Sequence, residues 1–301
     1  MGFVMDLPIG SIAHNLDIEI MRLYPRKQGD RNNKNKNLNI AEKPHLHKTA
    51  VISSVFCQDN LELLKSQPDE SVDLIYSDIL YGTGRNFGEY QDLKPKRDII
   101  ESHYLPRLIE MKRVLKQNGS IYLQMDTRIN HWMRILMDDV FGYENFRNEI
   151  VWCYKSGGAG KKGFAKKHDV ILFYTKGNDF IFNAIKEKSY MKKGSGKNPK
   201  QTYFNDNIGC YTITNQKDWI EDVGILATSS KERVGYSSQK PKELISRFVL
   251  ASSNENDVVA DYYLGSGTTA VVCKELNRNF IGCDINLKAI EITKARLNAR
   301  T

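Results

Sequence analysis

From Ala50 onward the chain alternates short apolar runs with longer amphipathic stretches, and this rhythm restricts its fold more than any other feature. Apolar runs occupy 51–56 (VISSVF), 72–77 (VDLIYS), 120–125 (SIYLQM), 169–175 (DVILFYT), 257–264 (DVVADYYL) and 280–285 (FIGCDI). Such runs, with little polar alternation, are expected of strands buried on both faces. Between them, 98–117, 129–140, 240–253, 267–277 and 286–299 carry apolar residues at helical spacing. Asn118-Gly119 supplies a stop for the first of these helices, and Pro241 sits early in the third, where its missing N–H costs little. The pattern predicts an α/β fold, a mainly parallel sheet with helices on both faces.

Three stretches break the rhythm. Residues 24–48 are rich in Asn and Lys and nearly free of apolar periodicity, which predicts a polar linker or arm. The preceding 7–23 has apolar residues enough for one short helix. Residues 176–235, rich in Lys, Asn, Gly and aromatics, read as an inserted, irregular region. No run approaches the roughly 18–20 apolar residues that span a bilayer, so no membrane partner is expected. The start, MGFVMDLPIG, lacks a basic segment followed by an apolar core, so no secretory signal is expected. The five cysteines are scattered and form no CxxC pair, which argues against a disulfide framework or a metal site. A reduced, cytoplasmic protein is the expectation.

The net charge of +8 is unevenly placed. Between Lys161 and Lys200 there are eleven lysines against three acids, a local excess of +8, so the rest of the chain is close to neutral. Concentrated cationic charge is the footprint of phosphate-backbone binding. A solvated lysine-rich loop would carry the same residues.

Two motifs carry chemistry. Asp261-Tyr-Tyr-Leu-Gly265-Ser266-Gly267-Thr268-Thr269 follows an apolar strand and opens a helix, where glycines permit a tight turn and close approach of a ligand. Nineteen residues after Gly265, Asp284 ends the next strand, suitably placed to accept hydrogen bonds from ribose hydroxyls. By itself this is a generic nucleotide signal, and Gly265-x-Gly267-x-x-Ala270 also fits the dinucleotide fingerprint of dehydrogenases. The second motif, Asp78-Ile79-Leu80-Tyr81, puts a carboxylate, two carbonyls and a ring at the carboxyl end of a strand. Alone, it would read as a strand-terminal turn.

Together the motifs resemble those of the β class of S-adenosylmethionine-dependent DNA amino-methyltransferases, the N6-adenine/N4-cytosine family. Asp78-Ile-Leu-Tyr81 is similar to that family's D-P-P-Y, and Asp261 to Thr269 to its D-x-F-x-G-S-G-T-T. Gln58-Asp59-Asn60-Leu before Val72-Asp-Leu-Ile, Asn148-Glu-Ile-Val-Trp152 with His168-Asp-Val-Ile-Leu, and Lys231-Glu-Arg-Val-Gly235 through Gln239-Lys240-Pro241 match further blocks in the same order. The matches cover the chain from about Ala50 onward.

The resemblance implies a Rossmann-like methyltransferase fold with circularly permuted motif order. Residues 50–154 and 236–301 would form the catalytic and cofactor domain, 155–235 a target-recognition insertion, and 1–49 an N-terminal arm and polar linker. It also implies roles. The Asp78 carboxylate and the Ile79 carbonyl, in a loop completed by Leu80, would accept the N–H bonds of a target amino group. Tyr81 would stack on a flipped base. For S-adenosyl-L-methionine, Asp284 with Ile285 would meet the ribose end, and Asp59 with Asn60 the adenine edge. Asp261 and Tyr263 would shape the pocket, Gly265, Ser266, Gly267 and Thr268 would lie on the methionine moiety, and Gln239, Lys240 and Pro241 would close it, with Lys240 meeting the cofactor carboxylate. Ile79-Leu80 departs from the family's Pro-Pro, which fixes φ and stiffens the loop; Gln58 departs from its Gly.

For double-stranded DNA, Arg85 in the 82–96 loop and Lys161, Lys162, Lys166, Lys167, Lys192, Lys193 and Lys197 are the expected contacts. Asp at the first catalytic position favours adenine N6, as in a restriction–modification system, where a cognate restriction endonuclease would be a partner; the family also includes homodimers. The readings kept beside it are cytosine N4 methylation and a degenerate methyltransferase fold that only binds DNA.

Overall fold

The computed structural model describes residues 52–88, 90–154, 162–192, 196–198 and 200–299. The expected N-terminal helix and linker lie outside these residues, as do Lys161 and Lys193. In chain order the elements begin with β1 (Ser53–Cys57), α1 (Asn60–Ser66), β2 (Val72–Asp78), α2 (Arg97–Val114), β3 (Leu115–Met125) and α3 (Asn130–Phe141). There follow β4 (Phe146–Cys153), β5 (His168–Thr175), β6 (Lys186–Tyr190), β7 (Phe204–Asn205), β8 (Cys210–Asn215) and β9 (Trp219–Ile220). The chain closes with α4 (Lys242–Ser252), β10 (Val258–Asp261), α5 (Thr268–Glu275), β11 (Asn279–Asp284) and α6 (Leu287–Asn298).

Eight strands form one sheet in the order β1-β11-β10-β2-β3-β5-β4-β9, and β6-β8-β7 form a second, three-stranded sheet. The pairs from β1 through β3 are parallel, whereas β5 runs antiparallel to both β3 and β4. Strand alternation sorts the core into two faces. Ile75, Ile121, Leu123 and Leu172 pack with Leu64 of α1, Leu108 of α2 and Met133 of α3. On the other face Leu74, Tyr76, Tyr122 and Phe173 pack with Phe248 of α4, Val272 of α5 and Ile290 of α6. Phe248 stacks on Tyr122 at 4.9 Å and on Tyr76 at 5.8 Å, and Tyr122 on Phe173 at 4.3 Å, each pair worth about 1 kcal/mol beyond its area.

The helices change faces between β10 and β2. The connection after β2 runs through α2 on the first face, while α5, after β10, covers the second. Adjacent parallel strands whose following helices diverge leave a crevice at their carboxyl ends, where open α/β sheets bind ligands. The Asp78 loop and the Gly265 turn flank it.

Several expectations need correction. The helix expected over 98–117 ends at Val114, and Asn118-Gly119 lies inside β3 rather than stopping a helix. Val72 pairs with Leu115 but Leu74 pairs with Ser120, so the intervening residues bulge; a Cβ on Gly119 would stand 2.9 Å from the Asp73 carbonyl oxygen. Pro241 precedes its helix as the N-cap residue instead of lying in it. The run at 257–264 is a strand only as far as Asp261, because Tyr262–Leu264 begin the glycine turn. Phe146–Cys153 is a full strand that apolar runs did not reveal. The insertion boundary of 155–235 is too wide, since β5 and β9 belong to the large sheet; the separate sheet spans residues 186–215.

Gly267 shows the packing constraint most sharply. It caps α5 in the left-handed region, φ +74°, and a Cβ there would stand 2.3 Å from the Thr293 hydroxyl of α6. Gly267→Ala is therefore expected to cost roughly 2–4 kcal/mol from backbone strain and overpacking together. Urea unfolding should show that loss, and adding Thr293→Ala should recover only part of the overpacking share, because the Thr293 Cβ itself would stand 2.7 Å from the new methyl.

Candidate functional site

Asp78 is the last residue of β2, and its loop turns across the end of the sheet. Ile79 buries its side chain in the first core, and its N–H bonds the Gln124 carbonyl at 3.1 Å. Tyr104 of α2 donates its hydroxyl to the Leu80 carbonyl at 2.8 Å. Gly82, at φ +64°, then lets the chain pass Ile129, whose Cγ2 would lie 2.8 Å from a Cβ. The buried Asp92 carboxylate accepts the Gly82 N–H at 3.1 Å, the Thr83 N–H at 2.8 Å and the Leu93 N–H at 2.7 Å, so the 82–96 loop is tied at its base.

The Tyr81 hydroxyl stands 2.7 Å from Asp78 Oδ1 and 2.8 Å from Asp169 Oδ2. One hydroxyl proton cannot serve both carboxylates at once. Asp169, on β5, also accepts from Gln124 Nε2 at 3.0 Å and from the Tyr154 hydroxyl at 3.1 Å. Lys240 Nζ donates to the other Asp78 oxygen, Oδ2. Burial pushes the Asp78 carboxyl above its ordinary range, against the pull of Lys240.

Across the crevice, Gly265 at φ +51° opens the turn, and its N–H donates to Asp284 Oδ2 at 2.9 Å. Asp284 Oδ1 takes the Asn286 N–H at 2.8 Å, and burial raises this carboxyl too. Asp261 accepts the Thr269 hydroxyl at 2.6 Å and the Tyr263 N–H at 3.0 Å. Arg296 of α6 braces the turn from behind, donating to the Ser266 carbonyl at 2.7 Å. At the third corner Asp59 caps α1 through the Leu61 N–H at 2.8 Å and pairs with Arg107 at 2.9 Å. Arg107 also donates to Asn60 Oδ1 at 2.6 Å, and Asn60 Nδ2 donates to the Tyr262 carbonyl at 2.9 Å. His103 lies 3.1 Å from the Tyr263 hydroxyl; burial and the Arg107 charge push it down to about 4, so it is neutral near pH 7.

All three corners open on one cleft of about 320 Å³, within the size range of small-ligand sites. Among the described residues no group of three or more His, Cys, Asp or Glu side chains could hold a metal ion, and no helix is long and apolar enough to cross a membrane.

A DNA methylase family profile matches residues 72–295. The type II methyltransferase M.HpaI of Haemophilus parainfluenzae is 34% identical over 254 residues, covering 81% of this chain and 74% of its own length. The DNA adenine methyltransferase YhdJ of Escherichia coli K12 is 31% identical over 249 residues, 80% of this chain and 81% of its own.

The chain belongs to the DNA methylase family.

Solved structures agree in fold. The M1.HpyAVI–SAM complex has a TM-score of 0.54 at 18% identity, covering 82% of the methylase and 100% of that chain. The cytosine-N4-specific PvuII DNA methyltransferase has a TM-score of 0.60 at 15% identity, covering 83% and 88%.

Of the residues singled out from sequence, the methylase brings Asp59, Asn60, Asp78, Ile79, Leu80, Tyr81, Lys240, Asp261, Tyr263, Gly265, Ser266, Thr268, Asp284 and Ile285 to the cleft wall. Gly267, Gln239 and Pro241 are not there. Gly267 faces Thr293, Gln239 is spent on the Val234 N–H at 2.8 Å and the Glu232 carbonyl at 2.7 Å, and Pro241 caps α4. The Leu80 carbonyl, bonded by Tyr104, is a strut of the loop. Lys240, expected on a cofactor carboxylate, is paired with Asp78. Arg85, Lys162, Lys166, Lys192 and Lys197 are exposed, Lys167 is half-buried, and none lines the cleft.

The cleft residues that sequence reasoning missed include His103 and Arg107, four apart on one face of α2, together with Tyr90, Gln91, Tyr236 and Ser238. Tyr236 and Ser238 fall inside the matched 231–241 block, and Tyr90 and Gln91 inside the 82–96 loop, although none of the four was singled out there. The helical spacing of His103 and Arg107 marks those two as a pair.

Burial raises Asp261 to about 7 from an ordinary 3.8, so ionising it costs the folded state more than the unfolded one. That loss sets in as pH rises past about 4 and is complete above about 7. The Asp261→Asn variant keeps a carbonyl acceptor without the charge. It should gain stability relative to wild type across that window, by at most roughly 4 kcal/mol, and no further above it. Denaturant titrations at several pH values measure this difference.

Proposed function

We propose that the chain transfers the methyl group of S-adenosylmethionine to N6 of adenine in double-stranded DNA, as the modification enzyme of a restriction–modification system. The observation that carries this reading is the single cleft shared by the Asp78–Tyr81 loop and the Gly265 turn, whose residues are nearly two hundred positions apart.

The cofactor fits the residues present. Asp284 takes the backbone N–H groups of Gly265, Asn286 and Ile285, and a carboxylate has about four acceptor sites, so a ribose hydroxyl can still be received. Asp59 and Asn60 would meet the adenine edge, with Arg107 holding both in place. Ser266 and Thr268 would hold the methionine end, and Tyr263, which also lines the cleft, would offer its ring to the cationic sulfonium. When bound, the cofactor supplies an electrophilic methyl group.

The rest is the work of this chain. An adenine amino nitrogen is a poor nucleophile because its lone pair is delocalised into the ring. Accepting its two N–H bonds at Asp78 and at the Ile79 carbonyl localises that lone pair and aims it at the methyl. The target base must leave the duplex stack to reach these acceptors, and Tyr81 gives it a face to stack on. Aspartate at position 78 favours adenine. Cytosine N4 presents the same two-hydrogen donor, and the fold likeness to a cytosine-N4-specific enzyme keeps that base as the second reading.

The three-stranded sheet serves as the target-recognition region. Phe204 and Tyr190 pack against Tyr211 with ring centres 5.6 and 5.4 Å away, and Lys188 stands 4.6 Å above the Tyr211 ring. This is aromatic and cationic chemistry suited to bases and phosphates.

Labelled cofactor and duplex DNA should yield N6-methyladenine, with Asp78→Ala slower by at least about a hundredfold through loss of a positioned acceptor. N4-methylcytosine as the sole product would select the second reading, and no labelled base at all would sink both. Replacing Lys162, Lys166, Lys192 and Lys197 by Gln should weaken binding to all duplexes alike. It should also flatten the salt dependence by about 0.9 in log–log slope for each phosphate that is no longer neutralised. Fluorescence anisotropy at several salt concentrations measures it.

A further inference from the structure

Lys240 precedes α4 and reaches across the cleft to the end of β2. Its side chain is 11% exposed and that of Asp78 17%, so the ion pair is largely withdrawn from water. Nζ takes Asp78 Oδ2, lies 5.4 Å from the centre of the Tyr81 ring, and touches the Ser238 carbonyl at 3.4 Å. Since Tyr81 holds the other oxygen, both oxygens of this carboxylate are engaged. Each of these oxygens can accept a further bond, and the ammonium offers Oδ2 the same N–H donor chemistry that an entering amino group would bring.

We propose that Lys240 is a positioning residue that keeps Asp78 anionic in the free protein and whose ammonium occupies the seat the target amino nitrogen takes over. This rests on the reading of Asp78 as the amine acceptor. The groups acting on Asp78 come from every side. Asp169 on β5 repels its charge, Asp261 at the end of β10 couples to it, Tyr76 lies beneath it on β2, and Tyr81 donates from the loop. Against these Lys240 supplies the attraction. Take the lysine away, and two buried carboxylates share one hydroxyl proton. A further proton on Asp78 would relieve that, at the cost of a charged acceptor. Charge at position 240 therefore matters more than bulk. The flexible four-carbon stem lets the ammonium withdraw toward Ser238 when a base arrives.

The test follows the carboxyl ¹³C shift of Asp78 in the free protein against pH, assigned by its disappearance in Asp78→Asn. Wild type, Lys240→Arg and Lys240→Met are compared. The Lys240→Met midpoint should lie at least about one pH unit above wild type, a tenfold change in the protonation equilibrium, with Lys240→Arg within about 0.3 unit. In single-turnover methylation the acid limb of Lys240→Met should move by the same amount, while cofactor affinity changes less than about threefold. An unmoved Asp78 midpoint in Lys240→Met overturns the proposal, as does a loss confined to cofactor affinity. A wild-type protein that methylates nothing would overturn the functional reading alone, because the titration is read without substrate and a raised midpoint there still supports Lys240 as the residue that holds Asp78 anionic.

Discussion

The pairing of β10 with β2 is the constraint from which the site follows. Only two registered pairs, Val259 with Leu74 and Ala260 with Ile75, join the strands, but they set two distant chain segments side by side and in parallel. The strand ends then carry Asp78 and Asp261 to the same edge, and the helices after them leave to opposite faces. A crevice at that edge is a consequence of chain geometry rather than of any one side chain. β11 adds Asp284 next to it, and β1 leads into Asp59. Four strand ends thus deliver four carboxylates to one concave wall.

Such a concentration of acids is costly unless each has donors, and the structure meets that requirement in different ways. Asp59 and Asp284 are held by backbone N–H groups, Asp59 by Arg107 as well. Asp261 relies on the hydroxyls of Thr269 and Ser77 and on one N–H, and with full burial its carboxyl still rises to about 7. Asp78 alone uses a lysine from a separate element and a shared tyrosine hydroxyl. The first three arrangements each include backbone N–H donors and suit residues that shape a binding wall. The fourth is made of movable side chains, which suits a carboxylate that must exchange partners during a reaction.

Much of this is legible in the amino-acid order, for physical reasons that also explain the failures. Strands buried on both faces are nearly uninterrupted apolar runs, so β2, β5 and β11 stand out, and glycine spacing marks the turn after β10. β4 does not stand out. Its sequence FRNEIVWC mixes charged and apolar residues because it lies toward the far edge of the sheet, with half-buried positions along most of its length. Asn118-Gly119 misleads because a helix stop and a β-bulge ask for the same residues. His103 and Arg107 are invisible because the reason for them is tertiary: they matter only once α2 is laid against Asp59, Asn60 and Tyr263. Lys240 is legible as a cleft residue, yet its pairing with Asp78 is not, since the two lie far apart in the chain and no pattern in sequence links them.

The loop at Ile79-Leu80 shows how one local rule can be replaced by several tertiary ones. Two prolines would fix φ at consecutive positions and hold the carbonyls without outside help. Here the same stretch is held from four sides. The Ile79 side chain is anchored in the core, its N–H on the Gln124 carbonyl, the Leu80 carbonyl under the Tyr104 hydroxyl, and the following turn on Asp92. With the Leu80 carbonyl bonded by Tyr104, the second acceptor role in the proposed mechanism falls to the Ile79 carbonyl. An Ile side chain also brings apolar contacts that proline could not supply in equal measure. Rigidity is therefore transferred from the backbone to the packing between β2, β3 and α2. The acceptor pair then depends on the integrity of that packing, and core substitutions at Tyr104 or Ile79 act on the site as directly as substitutions at its surface.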